Sequence, residues 1–116
     1  TDQAVRAAAG RGTRPWFRFP YGAHTPRDIR RVNDLGYACI QWTVDTAGWL
    51  GTSEGQSVRG VVSRVTASMR PGAIVLMHVG ANPNDGSTLD ADALPTLIAT
   101  LRSQGYGFTT LDALLR

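Results

Sequence analysis

Ala73-Ile74-Val75-Leu76-Met77-His78 is the stretch on which the reading of the fold turns. An apolar run with no polar alternation suits a short strand buried on both faces of a parallel sheet. His78, a residue with reactive chemistry, stands where that strand ends. Pro71-Gly72 just ahead breaks the preceding element. That element reads as a helix, because Val58, Val61, Val62, Val65 and Met69 keep to the 3.6-residue period. Beyond His78, the loop from Gly80 to Ser87 is rich in Asn, Pro, Asp and Gly. Leu94, Leu97, Ile98 and Leu101 then predict a helix with these residues inward. Pro95 fits that helix only if its cap lies near Asp90 or Asp92, since proline belongs in a first turn. Asp90 and Asp92 read as helix-start acids favoured by the helix dipole. Gly105 ends the helix, Phe108-Thr109-Thr110 predicts a last strand, and Leu111 to Arg116 a closing helical turn.

The same alternation extends toward the start of the chain. Thr1 to Ala9 is helix-like and stops at Gly10. Arg14 to Phe19 predicts a strand ending at Pro20. Thr25-Pro26-Arg27-Asp28 is a helix start, with Thr as N-cap, Pro at the first helical position and an acid three residues after the cap. That helix is expected to bury Ile29, Val32 and Leu35 before Gly36 ends it. Tyr37 to Val44 reads as one buried strand, and Gly51 to Gly55 as a linker. Strands alternating with helices over short connections predict parallel α/β units in a single domain, 1–116. Only about four strands are visible, fewer than an α/β barrel contains. The count implies that strands are missing.

Composition narrows the function classes. The 116 residues are 42% hydrophobic and 18% charged, as in a globular domain. No apolar run approaches the roughly 20 residues of a membrane span. Thr1-Asp2-Gln3 has neither the basic region nor the apolar core of a signal peptide. The net charge is +3 and all 12 basic residues are Arg, scattered rather than striped with aromatics, which argues against a nucleic-acid partner. The single cysteine, Cys39, excludes an internal disulfide and a cysteine-built zinc site. Its apolar neighbours predict a buried, inert thiol. Trp16, Phe17 and Trp42 are read as core.

Catalytic groups of α/β folds collect at the carboxyl ends of strands. Three strand ends here carry suitable residues: Arg18-Phe19-Pro20-Tyr21-Gly22, Asp45-Thr46-Ala47-Gly48-Trp49, and Leu76-Met77-His78. Taken singly, each has a plain alternative. His78 could be satisfied by a backbone carbonyl, Arg18 could be a structural ion-pair partner, and Asp45 could cap a turn. Trp49 could be a loop aromatic or core filler, and the ring of Tyr21 ordinary packing. His24, just before a helix cap, reads as a surface residue.

Taken in order, the three segments resemble the R-x-P-Y-G, D-x-x-D-W and L-x-H motifs of the polysaccharide deacetylases that share the NodB homology domain, carbohydrate esterase family 4. The resemblance covers essentially the whole chain. It implies an α/β fold that is the later portion of a distorted (β/α) barrel, with the N-terminal strands missing. It also implies metal-dependent hydrolysis of acetyl groups on an N-acetylated or O-acetylated polysaccharide. On this resemblance His78 is the general acid that protonates the departing amine. The backbone N–H of Tyr21 helps hold the oxyanion, and Arg18 pairs with the carboxylate base of an earlier motif. Trp49 and Leu76 wall the substrate pocket. The cofactor is a divalent metal, zinc, held by one Asp and two His from earlier motifs. An extracellular or cell-envelope location follows from the polymeric substrate.

Two departures stand out. The family's first two motifs are absent: no Asp-Asp pair occurs, and the only histidines are His24 and His78. The metal ligands are therefore expected from a missing N-terminal segment, present in the uncut protein or as a second chain. The isolated fragment is expected to bind no catalytic metal and to be inactive. In addition, the family's second Asp in the fourth motif, which orients the catalytic His, falls on Gly48; Asp45 remains. The alternative is a non-catalytic glycan-binding or structural relative in which Gly48 marks decayed chemistry.

Overall fold

The computed structural model describes residues 1–115 and divides the chain into two compact units, Thr1–Gln41 and Trp42–Arg116. In the first unit, α1 (Asp2–Ala9) ends where Gly10 takes a left-handed φ of 71°. Strand β1 (Trp16–Phe17) follows, then α2 (Pro26–Asp34) and β2 (Ala38–Cys39). β1 and β2 pair in parallel, Trp16 beside Ala38 and Phe17 beside Cys39. The expected start of α2 is a complete capping box. The Asp28 N–H donates to Thr25 Oγ1 at 3.3 Å, and the Thr25 N–H donates back to Asp28 Oδ2 at 2.9 Å.

Burial in this unit falls short of the sequence reading. No residue of α2 is buried, and Leu35 is 62% exposed. Leu35 is the C-cap, past the last helical turn, so it leaves the stripe that Ile29 and Val32 define. Cys39 is half-buried rather than buried, with Sγ 3.8 Å from Asn33 Oδ1. Trp16 and Phe17 are likewise half-buried.

The second unit holds β3 (Val44–Asp45), α3 (Val58–Ala67), β4 (Val75–Leu76) and α4 (Leu89–Ser103). β3 and β4 are parallel, with Val44 beside Val75 and Asp45 beside Leu76. The strand expected over Tyr37–Val44 is thus two strands in different pairs. β2 takes its neighbour in β1, whereas the Thr43 N–H donates to Ile74 O at 2.7 Å and begins a new pair. α3 turns Val61 and Val65, both 0% exposed, against Leu89, Ala93, Leu97 and Leu101 of α4. Its N-cap Ser57 accepts the Gly60 N–H at 3.0 Å.

Three local expectations fail in this unit. α4 begins after Thr88, which places Pro95 inside the helix. The carbonyl this proline leaves without its usual donor belongs to Ala91, which is exposed and can be met by solvent. Leu94 lies off the inward stripe and is 43% exposed. Phe108–Thr110 pairs with no strand among the described residues. It instead borders an apolar cavity of about 780 Å³ with Val75, Met77 and Ile98. The closing helical turn forms as a short 3₁₀ helix over Leu111–Leu115, and Arg116 lies outside the described residues. No described helix is long and apolar enough to cross a membrane.

Candidate active site

Strand register explains how Asp45 and His78 meet. In a parallel pair, neighbours share a face, so Asp45 and Leu76 project to the same side. His78, two residues past Leu76, returns to that side by the period of a strand. The result is a hydrogen bond of 2.8 Å between His78 Nε2 and Asp45 Oδ1, each side chain about a third exposed. Asp45 also closes a turn, since the Ala47 N–H donates to Oδ1 at 2.8 Å. The turn role considered for Asp45 is therefore present, beside its contact with His78. Partial burial pushes its carboxyl up. The His78 hydrogen bond, the Ala47 N–H and the positive charges of His78 and Arg64 outweigh that and hold it below the usual carboxylate range. Arg64 is close by, with Nε donating to the Asp45 carbonyl at 2.7 Å.

Trp49 stands edge-on to His78, with ring centroids 6.5 Å apart, and is 56% exposed. Its main chain is fixed from the loop after β4, where Asn82 Nδ2 donates to the Trp49 carbonyl at 2.8 Å. Asp85 braces the same two loops by accepting from Thr52 Oγ1 at 3.1 Å and the Ser53 N–H at 2.6 Å. Hydrogen bonds from Ser87 first, and then from the Ser53 N–H, hold its carboxyl far below the usual range. Gly51 has no room for a side chain here, because a Cβ would lie 2.5 Å from both Asn82 Nδ2 and Asp85 Oδ2.

Asp90 stands in the first turn of α4, as the sequence reading has it, but its side chain is 4% exposed and turned inward to partners that the reading did not supply. Its Oδ2 accepts the Thr46 hydroxyl at 3.0 Å and the main-chain N–H of His78. Thr46, 0% exposed, in turn accepts the Gly48 N–H at 3.3 Å. A Cβ built on Gly48 would collide with Asp90 Oδ1 and Cγ. The missing side chain at Gly48 was the one signal in the sequence that another group fills that space. Asp92, by contrast, behaves as a helix-start acid and accepts from Thr88 Oγ1 at 3.2 Å.

The structure therefore brings Asp45, Trp49 and His78 together, with Leu76 beside Asp45 in register. Arg18 and Tyr21 belong to the first unit. Arg18 is exposed just past β1. Tyr21 is 98% exposed and holds a left-handed φ of 58°, a conformation that costs a non-glycine residue about 1 kcal/mol or more. His24 is exposed, its Nδ1 2.7 Å from the Gly22 carbonyl and its ring stacked on Phe19. Among the described residues, no three His, Cys, Asp or Glu side chains converge to hold a metal ion. Asp45 and His78 are bonded to each other and supply fewer donors than a zinc site requires. The residues present do not fit a metal.

No family model matches the chain. Chitooligosaccharide deacetylase of Azorhizobium caulinodans is 28% identical over 118 residues, covering 95% of this chain and 54% of that protein. The peptidoglycan-N-acetylglucosamine deacetylase PgdA of Listeria monocytogenes is 38% identical over 97 residues, covering 84% of this chain and 18% of that one. Among solved structures, wild-type BA3943 of Bacillus anthracis, a CE4 family pseudoenzyme, matches with a TM-score of 0.81 at 30% identity. That match covers 99% of this chain and 37% of BA3943, of which a mutant with restored enzymatic activity is also known. The chain spans about half the length of the rhizobial relatives it matches. Its α/β fold is the later portion of the distorted barrel that these deacetylases share. With the three strand-end motifs, the paired carboxylate and imidazole and these relatives in view, the chain is similar to the polysaccharide deacetylases of carbohydrate esterase family 4 and resembles the C-terminal part of their NodB homology domain.

Proposed function

We propose that this chain supplies the proton-donating side of a polysaccharide deacetylase, within one domain that includes both of its units. The reaction is hydrolysis of an acetamide, or an acetyl ester, on a glycan: water adds to the carbonyl carbon, the C–N or C–O bond breaks, and acetate departs. The leaving nitrogen or oxygen takes a proton from His78. The observation that carries this reading is the 2.8 Å bond between His78 Nε2 and Asp45. With Nε2 committed to the carboxylate, the imidazolium passes its proton from Nδ1, and the ionised Asp45 stabilises the charged ring beforehand.

The remaining roles rest on the family resemblance. Trp49, exposed beside His78, offers an aromatic face to a sugar ring, and Leu76 adds an apolar wall. The strained turn at Tyr21 supports a backbone role in holding the oxyanion. Arg18 at the β1 tip would pair with a carboxylate base outside this chain. A divalent metal, zinc on this reading, would take its ligands from polypeptide other than the described residues. The steps given to this chain's own side chains do not pass through it. A chitin-like or peptidoglycan-like substrate, and with it an extracellular or cell-envelope location, fits the named activities of the relatives.

The test measures acetate released from N-acetylglucosamine oligomers, with zinc, by this chain alone and with the polypeptide encoded ahead of Thr1 supplied. His78→Ala should lower kcat by about 10²–10⁴-fold while substrate still binds. Full turnover in that variant would sink the assignment. Gly48 and the likeness to a pseudoenzyme favour a second reading, glycan binding without turnover. Saturable binding by the reconstituted protein with no acetate released would select it.

A further inference from the structure

The chemistry assigned to His78 and Asp45 depends on two strand tips staying together, and one side chain from a third element grips both. Asp90, in the first turn of α4, accepts from Thr46, the residue after Asp45, and from the main chain of His78 itself. All of this takes place out of solvent, with Asp90 4% and Thr46 0% exposed. Its carboxylate also lies where a side chain on residue 48 would have to go. We infer that Asp90 is the positioning residue of this site: reaching in from α4, it fills the side-chain space of Gly48 and clamps the tips of β3 and β4 so that Asp45 and His78 stay in hydrogen-bonding reach. The inference deepens the deacetylase reading and rests on it only for what the clamped pair does.

The energetics favour a specific role over incidental packing. A buried carboxylate is costly unless its oxygens are met. Here Oδ2 is satisfied, while Oδ1 is buried with no hydrogen-bond partner among the described residues. The dipole and free N–H groups of the first turn of α4 offset part of that cost. The charged and titratable groups around the ring are Asp45 on β3, Asp90 on α4, and Arg64 on α3, which reaches the Asp45 carbonyl. Asp90 also lines a cavity of about 90 Å³ with Gly48, Trp49, His78 and Asn82.

The decisive experiment moves the carboxylate. Asp90→Ala, Gly48→Asp, the double variant Gly48→Asp/Asp90→Ala and Asp90→Leu are compared in the full chain, with the acetate assay run on the reconstituted protein described above. The readouts are hydrogen exchange at the His78 amide, the ¹⁵N signals of the His78 ring, and kcat and KM for acetate release. Asp90→Ala should speed exchange at the His78 amide by about tenfold, the loss of one hydrogen bond to a charged group, and abolish the ring signature of the Asp45 bond. Gly48→Asp alone should lower the unfolding midpoint through collision with Asp90. The double variant should recover slow exchange and the ring signature to within about threefold of the parent. kcat should fall in Asp90→Ala with KM unchanged, and return in the double variant. A Gly48→Asp variant as stable as the parent, or a double variant no better protected than Asp90→Ala, overturns the inference. Where Asp90→Ala fails to fold, Asp90→Leu, similar in size but unable to accept a hydrogen bond, decides: a changed ring signature and lowered kcat in a folded protein support the clamp, and parent-like values for both refute it. Should the parent release no acetate under any condition, the deacetylase reading fails, while exchange and ring signals still judge the clamp.

Discussion

In the second unit Val44, Val61, Val65 and the inward leucines of α4 close over one another, whereas every residue of Thr1–Gln41 keeps some contact with solvent. The first unit is organised by polar and aromatic staples. Thr13 donates its N–H to Asp2 at 2.7 Å, its hydroxyl lies 2.8 Å from that of Tyr37, and Arg14 sits over the Tyr37 ring. Phe17 meets Phe19 edge-on at 4.9 Å. The contrast extends to the candidate functional groups. Asp45 lies between buried Val44 and buried Thr46, and the Asp45–His78 pair inherits the rigidity of a packed core. Tyr21 occupies a strained turn that nothing buried supports. Preorganised chemistry belongs on well-packed elements, and the Asp45–His78 pair follows that division.

Truncation of the core should expose this difference most strongly. Leu97→Ala removes a side chain that is 4% exposed, and should cost about 3 kcal/mol in denaturant unfolding followed through α3 and α4. Ile29→Ala, the matching change on half-buried α2, should cost about 1 kcal/mol. Equal losses would mean that the two units share one kind of stabilisation. Helix caps invert the ranking within each unit. Thr25→Ala dismantles the capping box of α2 and should cost about 1 kcal/mol, visible as faster amide exchange along the whole helix. Ser57→Ala removes the single cap bond of α3 and should fray only its first turn, because Val61 and Val65 anchor the rest. Fraying of α3 as complete as that of α2 would break the comparison.

The same division governs what could be read from the sequence. Local chemistry was legible. Thr25 and Asp28 announced their capping box, Gly10 its left-handed stop, and the valines of α3 their buried face, because each depends on neighbours within a turn or two. Pairing choices were not. Tyr37–Val44 is mostly apolar, and Gln41 and Thr43 by themselves do not mark the point where it leaves β1 for β4. Phe108–Thr110 has strand-like residues but no described partner. At the site, His78 and Asp45 were legible as strand ends, and their contact follows from parallel register, which only the paired strands fix. Asp90 was illegible as more than a helix-start acid because its partners, Thr46 and the His78 amide, lie 44 and 12 residues away.

The smallest effect, and the one that sharpens the comparison at the site itself, is the acid sensitivity of Asp45. Its carboxyl ionises at lower pH in the folded chain than in an unfolded one, where the value is about 3.9. A depressed folded value means that folding favours the ionised form. The contribution is therefore complete above about pH 4 and is lost as pH falls through the lower, folded value. Asp2 and Asp28 in the first unit are depressed in the same direction, chiefly by bonds from Thr13 and Thr25, but both are open to solvent screening. Asp45→Asn should make the second unit less stable than the parent near pH 6, and the gap should close as pH falls below about 4 and the parent loses its ionic bond. Thermal unfolding across that range, read from signals of β3 and β4, measures it. A gap that stays constant with pH would mean that the His78 contact acts as a neutral hydrogen bond, and the proton-donating role would lose its electrostatic support.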